Sequence, residues 1–378
     1  MPPSYCPAPL ILEGRTMRGS SKTRKLWAVL VAVSVLGVGC EKPDETPDNP
    51  APVEPPITTP THTWSWVDFP NTQCDEGTPT GLGVNLTDSK NVVIFFNGGG
   101  ACWDARTCLE QNLSTHGPFT KTQFDQLAPR ISAGNIFDRA LANNPYKDWN
   151  HFFIPYCTGD LHIGNADNVY TSGSVSVTFH HKGRPNAEAF LARIASTVSE
   201  PEQVVVTGSS AGGYGAVLNY ALVRSHFPKA KVFLLDDSGP MLKSDAIHPL
   251  LRAAWANAWK YDAVMNDIDP AVKDDFSAIH PALARKFPED RMALLSSTQD
   301  QVIRGYMGLP PAQFQAALLD LSSSVLEPLA HTRAFIVPGQ SHTMLLNPGG
   351  YSAQGVPLLE WINQMHTVDD ATWKTLRP

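Results

Sequence analysis

An α/β three-layer sandwich around a mostly parallel central sheet is the fold class this sequence predicts, and three observations predict it. Short apolar, β-branched runs alternate along the chain with segments of helical period, the pattern of strands joined by crossover helices. The runs are apolar at successive positions, as strands covered on both faces are. A chain of 378 residues, 42% hydrophobic and 17% charged, can bury a sizeable core in one large domain or two smaller ones. In order, residues 92–96 and 152–156 read as strands and 187–198 as the helix that follows. Residues 204–207, Val-Val-Val-Thr, make a third strand feeding a helix at 214–224. Strand 231–235, helix 244–261, strand 292–296, helix 311–321 and strand 334–337 complete the alternation.

Ahead of this pattern the chain reads as targeting rather than fold. Met17 is the expected start, with residues 1–16, Cys6 among them, an overhang before it. Arg18, Lys22, Arg24 and Lys25 form a basic region, residues 26–38 are apolar, and Gly39-Cys40 closes the segment. The apolar run is short for a membrane span. The expectation is a lipoprotein-type signal at 17–39, cleaved before a lipidated Cys40; Gly37 stands where such signals commonly carry Leu, which leaves plain secretion as the alternative. Residues 40–63, rich in Pro, Asp, Glu and Thr, lack the large apolar residues a core needs and read as a semi-extended tether. The catalytic domain is expected at 64–378.

In a parallel sheet, ligands bind beyond the carboxyl ends of the strands, so the chemistry is sought there. Ser210 lies in Gly208-Ser209-Ser210-Ala211-Gly212, between a strand and a helix, which is the context of a nucleophile elbow. The pentad alone would arise by chance roughly 0.1 times in a chain of this length, and its placement is what strengthens it. Asp300 follows the strand at 292–296, and His342 follows the last strand in a Gly/Ser loop. A serine hydroxyl is a poor nucleophile until an imidazole takes its proton, and a carboxylate must hold that imidazole in one tautomer. Ser210, His342 and Asp300 are assigned those roles, in the chain order of an α/β-hydrolase-like enzyme. Asp236 and Asp237, ending the strand at 231–235, are the rivals for the acid. Gly99 and Gly100, after the strand at 92–96, and Ala211 are the candidate oxyanion donors, each worth about 3–4 kcal/mol in related sites.

Cys74, Cys102, Cys108 and Cys157 remain inside the domain, and four cysteines in an exported chain read as disulfides. Counting allows three pairings. The short loop between Cys102 and Cys108 favours joining those two, leaving Cys74 for Cys157.

With these residues in view, the chain resembles the pectin acetylesterase and Notum family of serine carboxylesterases. Residues 95–102, Phe-Phe-Asn-Gly-Gly-Gly-Ala-Cys, with Cys108, match its glycine-rich oxyanion loop and short disulfide. Ile154-Pro155-Tyr156-Cys157, the turn at 74–79, the elbow at 208–213 and Asp237-Ser238-Gly239 match further motifs, so the likeness runs from about Cys74 to His342. It implies the Cys102–Cys108 and Cys74–Cys157 bridges and an extracytoplasmic esterase acting through an acyl-serine, with O-acetyl groups on a polysaccharide such as pectin as the expected substrate. The family often carries Glu where this chain has Asn97, and an aromatic residue where it has Gly100 and Ala101, a gap Trp103 is placed to fill. Asn97, Trp103, Asp160 and Asp237 are accordingly the candidate pocket residues.

Other classes fit less well. A net charge of −7 argues against nucleic acid as a partner. No metal-ligand motif of the H-E-x-x-H kind is present, and neither metal nor cofactor is expected. An NAD-dependent reductase would use Gly208, Gly212, Gly213 and Gly215 as a dinucleotide loop with Asp236 or Asp237 on the ribose, but that loop lies mid-chain with irregular glycine spacing. A non-catalytic carbohydrate-binding or adhesion protein on a hydrolase fold would ordinarily lack one member of the triad. The expected partners are an ester substrate and, through Cys40 alone, a membrane.

Overall fold

The computed structural model describes residues 55–367, 369 and 371–378; the signal segment, Cys40 and most of the tether lie outside the described residues. Eight strands form one sheet, with a separate antiparallel hairpin, β5 (Ala166–Ser172) and β6 (Val175–His181). The sheet comprises β1 (Ser65–Phe69), β2 (Thr80–Asn85), β3 (Val92–Phe96), β4 (Asn150–Ile154), β7 (Gln203–Ser209), β8 (Lys231–Asp237), β9 (Arg291–Ser297) and β10 (Thr332–Val337). Their order is β1-β2-β4-β3-β7-β8-β9-β10; the six strands from β4 to β10 run parallel, and β1 and β2 add an antiparallel edge.

The parallel strands are buried on both faces because their side chains alternate between two cores. Val92, Ile94, Phe96, Val204 and Val206 face one layer, while Val93, Phe95, Val205 and Leu235 face the other. The first layer holds α2 (Gly183–Thr197), α3 (Ala211–Leu218) and α4 (Tyr220–His226), then α5 (Pro249–Trp259), α6 (Asp262–Ile268), α7 (Ile279–Lys286), α8 (Gln301–Met307) and α9 (Pro311–Asp320). The second is covered by α1 (Lys121–Ile131), which buries Phe124, and α10 (Leu358–Thr367), which buries Trp361 and Met365.

All six sequence-predicted strands are present. The strand expected at 152–156 is Asn150–Ile154, because Pro155 has no N–H with which to extend the ladder. The helix expected at 214–224 begins at Ala211 and is two helices, divided at Asn219, whose side chain reaches back to the carbonyls of Gly215 and His162. The helix expected at 244–261 starts with Pro249, after a short 3₁₀ turn. Strand β2 escapes a propensity reading because of Gly81 and Gly83. A Cβ there would lie 2.7 Å from the Trp66 ring and 2.3 Å from the Phe124 ring, so the glycines make room for the aromatic cluster. The packed chain also begins upstream of Trp64: Ile57 is buried, and its N–H donates to Thr197 Oγ1 at 2.9 Å.

Both disulfides are formed, Cys74–Cys157 and Cys102–Cys108. Among the described residues no helix is long and apolar enough to cross a membrane.

His280, on α7, is 2% exposed, and neither ring nitrogen has a hydrogen-bond partner among the described residues. Burial pushes it down to about 4. With the folded value below the unfolded value near 6.5, its stability contribution is complete above pH ~6.5 and is lost as pH falls toward the folded value. Replacing it with Leu is therefore expected to stabilise the fold, by about 2 kcal/mol more at pH 5 than at pH 7. Denaturant titrations of both proteins at the two pH values measure this; an equal gain at both would refute it.

Candidate active site

Ser210 sits where β7 turns into α3, at φ 62° and ψ −124°. That left-handed conformation is unfavourable for a serine and persists because its surroundings over-determine it. The Ser210 N–H donates to the Asp237 carbonyl on β8 at 2.8 Å, and the Ser210 carbonyl accepts the N–H of Gly213 at 2.9 Å. The strand and helix approach too closely for side chains at the flanking glycines: a Cβ on Gly208 would lie 2.2 Å from the Gly212 carbonyl, and one on Gly212 1.9 Å from the Phe96 carbonyl. Ser210 is thereby presented at the carboxyl edge of the sheet, with Ala211 opening a helix whose N-terminus favours negative charge.

Asp300, after β9, is fully buried and is the N-cap of α8. Its Oδ1 accepts the N–H groups of Val302 and Ile303 at 2.9 and 3.1 Å. The same carboxylate meets His342 Nδ1 at 3.0 Å through Oδ1 and 2.8 Å through Oδ2. Asp300 and His342, 42 positions apart, are thus brought together from neighbouring strands β9 and β10. The Ser210 hydroxyl has no hydrogen-bond partner among the described residues; such catalytic bonds are commonly loose before substrate arrives.

Asp237 makes no hydrogen bond to His342 among the described residues and does not line the cavity. It is wholly buried, and its carboxylate accepts the Ser209 hydroxyl at 2.7 Å and the N–H groups of Met344 and Leu345, each at 2.9 Å. Burial raises its pKa, opposed by these hydrogen bonds. One residue therefore clasps the serine elbow to the histidine loop: its backbone carbonyl holds Ser210 and its side chain holds the turn just after His342. Asp236 is also buried; among the described residues it accepts one hydrogen bond, from Gly239 N–H, and its Oδ2 has no partner, and burial raises its pKa well above the ordinary carboxylate range. Neither aspartate can reach a ribose, which removes the dinucleotide reading.

The loop after β3 lies against the elbow, a Cβ on Gly98 falling 3.2 Å from Ser210 Cβ. Gly99 and Gly100 have φ of 155° and 78°. Thr115 N–H donates to the Gly99 carbonyl at 2.7 Å. In a planar trans peptide the C=O and N–H point opposite ways, so this bond turns the Gly100 N–H away from Thr115. Among the described residues the N–H groups of Gly99, Gly100 and Ala211 make no hydrogen bond.

Ser210, Gly100 and Ala211 line a cavity that opens to solvent. Its wall is almost wholly apolar and aromatic. Trp103 lines it and meets Trp255 edge-on at 5.9 Å. Asn97 and Asp160 do not line it. Asn97 presents its carbonyl to His162, and Asp160 is fully buried, accepting Thr158 Oγ1 at 2.6 Å and Gly183 N–H at 2.8 Å. A short-range loop-holding carboxylate is what those bonds make it.

Sequence reasoning missed most of the cavity wall. Met241, Leu242, Trp255, Trp259 and Phe276 come from the long excursion at 238–290 between β8 and β9, with Tyr306 added from α8. Two signals were present: the connection is far longer than one crossover helix needs, and Trp255 and Trp259 share a helix face. Trp259 Nε1 donates to the Cys102 carbonyl at 2.9 Å, tying this excursion to the segment that follows the glycine loop.

Comparison with known proteins agrees with this frame. Residues 66–289 match the family model described as pectinacetylesterase. Pectin acetylesterase 5 of Arabidopsis thaliana is 24% identical over 186 residues, 48% of this chain and 42% of that protein. The palmitoleoyl-protein carboxylesterase NOTUM of Schmidtea mediterranea is 27% identical over 210 residues, 50% of this chain and 34% of that protein. The chain thus spans less than half the length of these relatives. The solved structure of the Wnt deacylase Notum from Drosophila shares the fold, with a TM-score of 0.59 and 18% identity, over 83% of this chain and 95% of that one. Asp300 and His342 lie beyond the matched segment, so their pairing rests on the geometry above. With the match running from the edge strand through the elbow to the excursion over the cavity, more than half of its length, this chain belongs to the pectinacetylesterase family.

Proposed function

We propose that this protein is a serine carboxylesterase whose substrate carries an apolar acyl group longer than acetyl. Ser210 Oγ attacks the ester carbonyl while His342 Nε2 takes its proton and passes it to the departing alcohol. Asp300 keeps the other ring nitrogen protonated and stabilises the imidazolium. The N–H groups of Gly99, Gly100 and Ala211 receive the oxyanion. Water, deprotonated by His342, then releases the acid from acyl-Ser210.

The observation that carries this reading is the apolar cavity opening on Ser210 beside two of its oxyanion donors. The names of the relatives leave acyl length open, since one class removes acetyl and the other palmitoleoyl groups. The wall around the serine is apolar and aromatic and offers little to hydrogen-bond a sugar, which supports an apolar acyl chain over the polysaccharide acetate expected from sequence. The two disulfides support an oxidising, extracytoplasmic site of action, as a signal ending at Cys40 would require.

Acyl-length dependence tests it. Each methylene buried is worth about 0.8 kcal/mol, and with half of that realised over about six added methylenes, p-nitrophenyl octanoate should exceed the acetate by about 50-fold in kcat/KM. Acetate as the best ester, with acetylated pectin or xylan also turned over, would restore the polysaccharide reading.

A further inference from the structure

The oxyanion loop is made of the residues least able to hold a shape, since three successive glycines leave its peptides free to flip. Two hydrogen bonds oppose this. Thr115 fixes the carbonyl of Gly99 at 2.7 Å, and His162 Nε2 meets the carbonyl of Asn97 at 2.8 Å. The two bonds bracket the peptide that carries the Gly99 N–H.

His162 is itself elaborately held. It and Leu161 both take left-handed conformations, φ 61° and 57°, which non-glycine residues adopt in succession only when their surroundings compel it. Tyr156 Oη accepts the Leu161 N–H at 2.9 Å, Asp160 Oδ1 accepts the His162 N–H at 3.1 Å, and Asn219 Nδ2 donates to the His162 carbonyl at 3.1 Å. The ring packs edge-on against Phe96 at 5.1 Å and lies 4.6 Å from the Tyr156 ring. On its far side is Gly215 of α3, where a Cβ would come within 2.7 Å of the imidazole. The ring thus touches both the strand that leads into the glycine loop and the helix that starts at the nucleophile. Burial pushes His162 down to about 4, so it stays neutral at neutral pH. Its Nε2 must carry the proton, because a carbonyl oxygen can only accept.

We propose that His162 is a positioning residue, whose Nε2–H bond to the Asn97 carbonyl holds the oxyanion loop in register with Ser210. This rests on the esterase reading. It acts on the transition state and leaves substrate binding in the apolar cavity unchanged.

The test uses the full chain with p-nitrophenyl octanoate and an octyl trifluoromethyl ketone, which forms a tetrahedral oxyanion on an active serine. His162→Phe keeps an aromatic ring without the donor and is expected to lower kcat by about 30-fold, with KM within about twofold and ketone affinity reduced in parallel. His162→Gln, whose amide N–H can reach the same carbonyl, should recover kcat to within about fivefold of wild type. Wild-type-like kcat in His162→Phe, His162→Gln no better than His162→Phe, or loss of the fold in His162→Phe would each overturn the proposal. Ser210→Ala separates the two readings: hydrolysis that survives it overturns the esterase assignment and this inference together, whereas its loss beside an unaffected His162→Phe overturns this inference alone.

Discussion

Ser210→Ala is expected to abolish ester hydrolysis, lowering kcat by about 10⁴- to 10⁶-fold while the protein remains folded. The size follows from the mechanism: without Oγ no acyl-enzyme can form, and only binding and the oxyanion donors remain to assist water. Retention of the fold follows from the surroundings of the side chain. The hydroxyl holds no hydrogen bond among the described residues, so its removal strands no buried partner, and alanine tolerates φ 62° no worse than serine does. Initial rates with p-nitrophenyl octanoate, read beside the thermal midpoint, check both halves. Activity comparable to wild type in a folded variant would end the esterase assignment and favour the non-catalytic binding reading.

Asp300→Asn should lower kcat by about 10⁴-fold at neutral pH. The carboxylate accepts Nδ1–H of His342 and so leaves Nε2 unprotonated to receive the serine proton. An amide NH₂ in its place would favour the opposite tautomer and block that transfer. Little stability should be lost, because Asn caps a helix as well as Asp, and its Oδ1 can still accept Val302 and Ile303 N–H. Asp237→Asn should behave in the reverse way. Its carboxylate satisfies the Ser209 hydroxyl and two backbone N–H groups of the histidine loop, so an amide would oppose donors with a donor and lower stability more than Asp300→Asn does. A folded Asp237→Asn that loses catalysis, beside an Asp300→Asn that keeps it, would exchange the two roles.

Much of this architecture was legible in the chain. The six parallel strands announce themselves because a strand covered on both faces must be apolar at every position, and a run such as Val204-Val205-Val206 admits few other readings. Ser210, Asp300 and His342 could be picked out because each follows such a strand directly, and strand ends are where a parallel sheet exposes side chains to a ligand. Strand β2 was not legible, since its glycines exist for neighbouring rings that only the folded chain supplies. Asp160 and Asp237 were misread as pocket residues for a related reason. A carboxylate beside a site and one buried beneath it look alike until the donors around it are known, and some of those donors lie far along the chain, Gly183 23 positions from Asp160 and Met344 107 positions from Asp237.

The sequence by itself determined the layered α/β scaffold, the serine elbow and the candidates Ser210, Asp300 and His342, because these depend on local patterning: apolar runs, glycine placement, and polar residues just past strand ends. Tertiary structure alone decided that Asp300 rather than Asp236 or Asp237 meets His342, which residues pin the glycine loop, and that the cavity beside Ser210 is walled by apolar and aromatic side chains. Those outcomes depend on distances between segments far apart in the chain, where burial and hydrogen-bond partnership are set by packing rather than by any residue's neighbours in sequence.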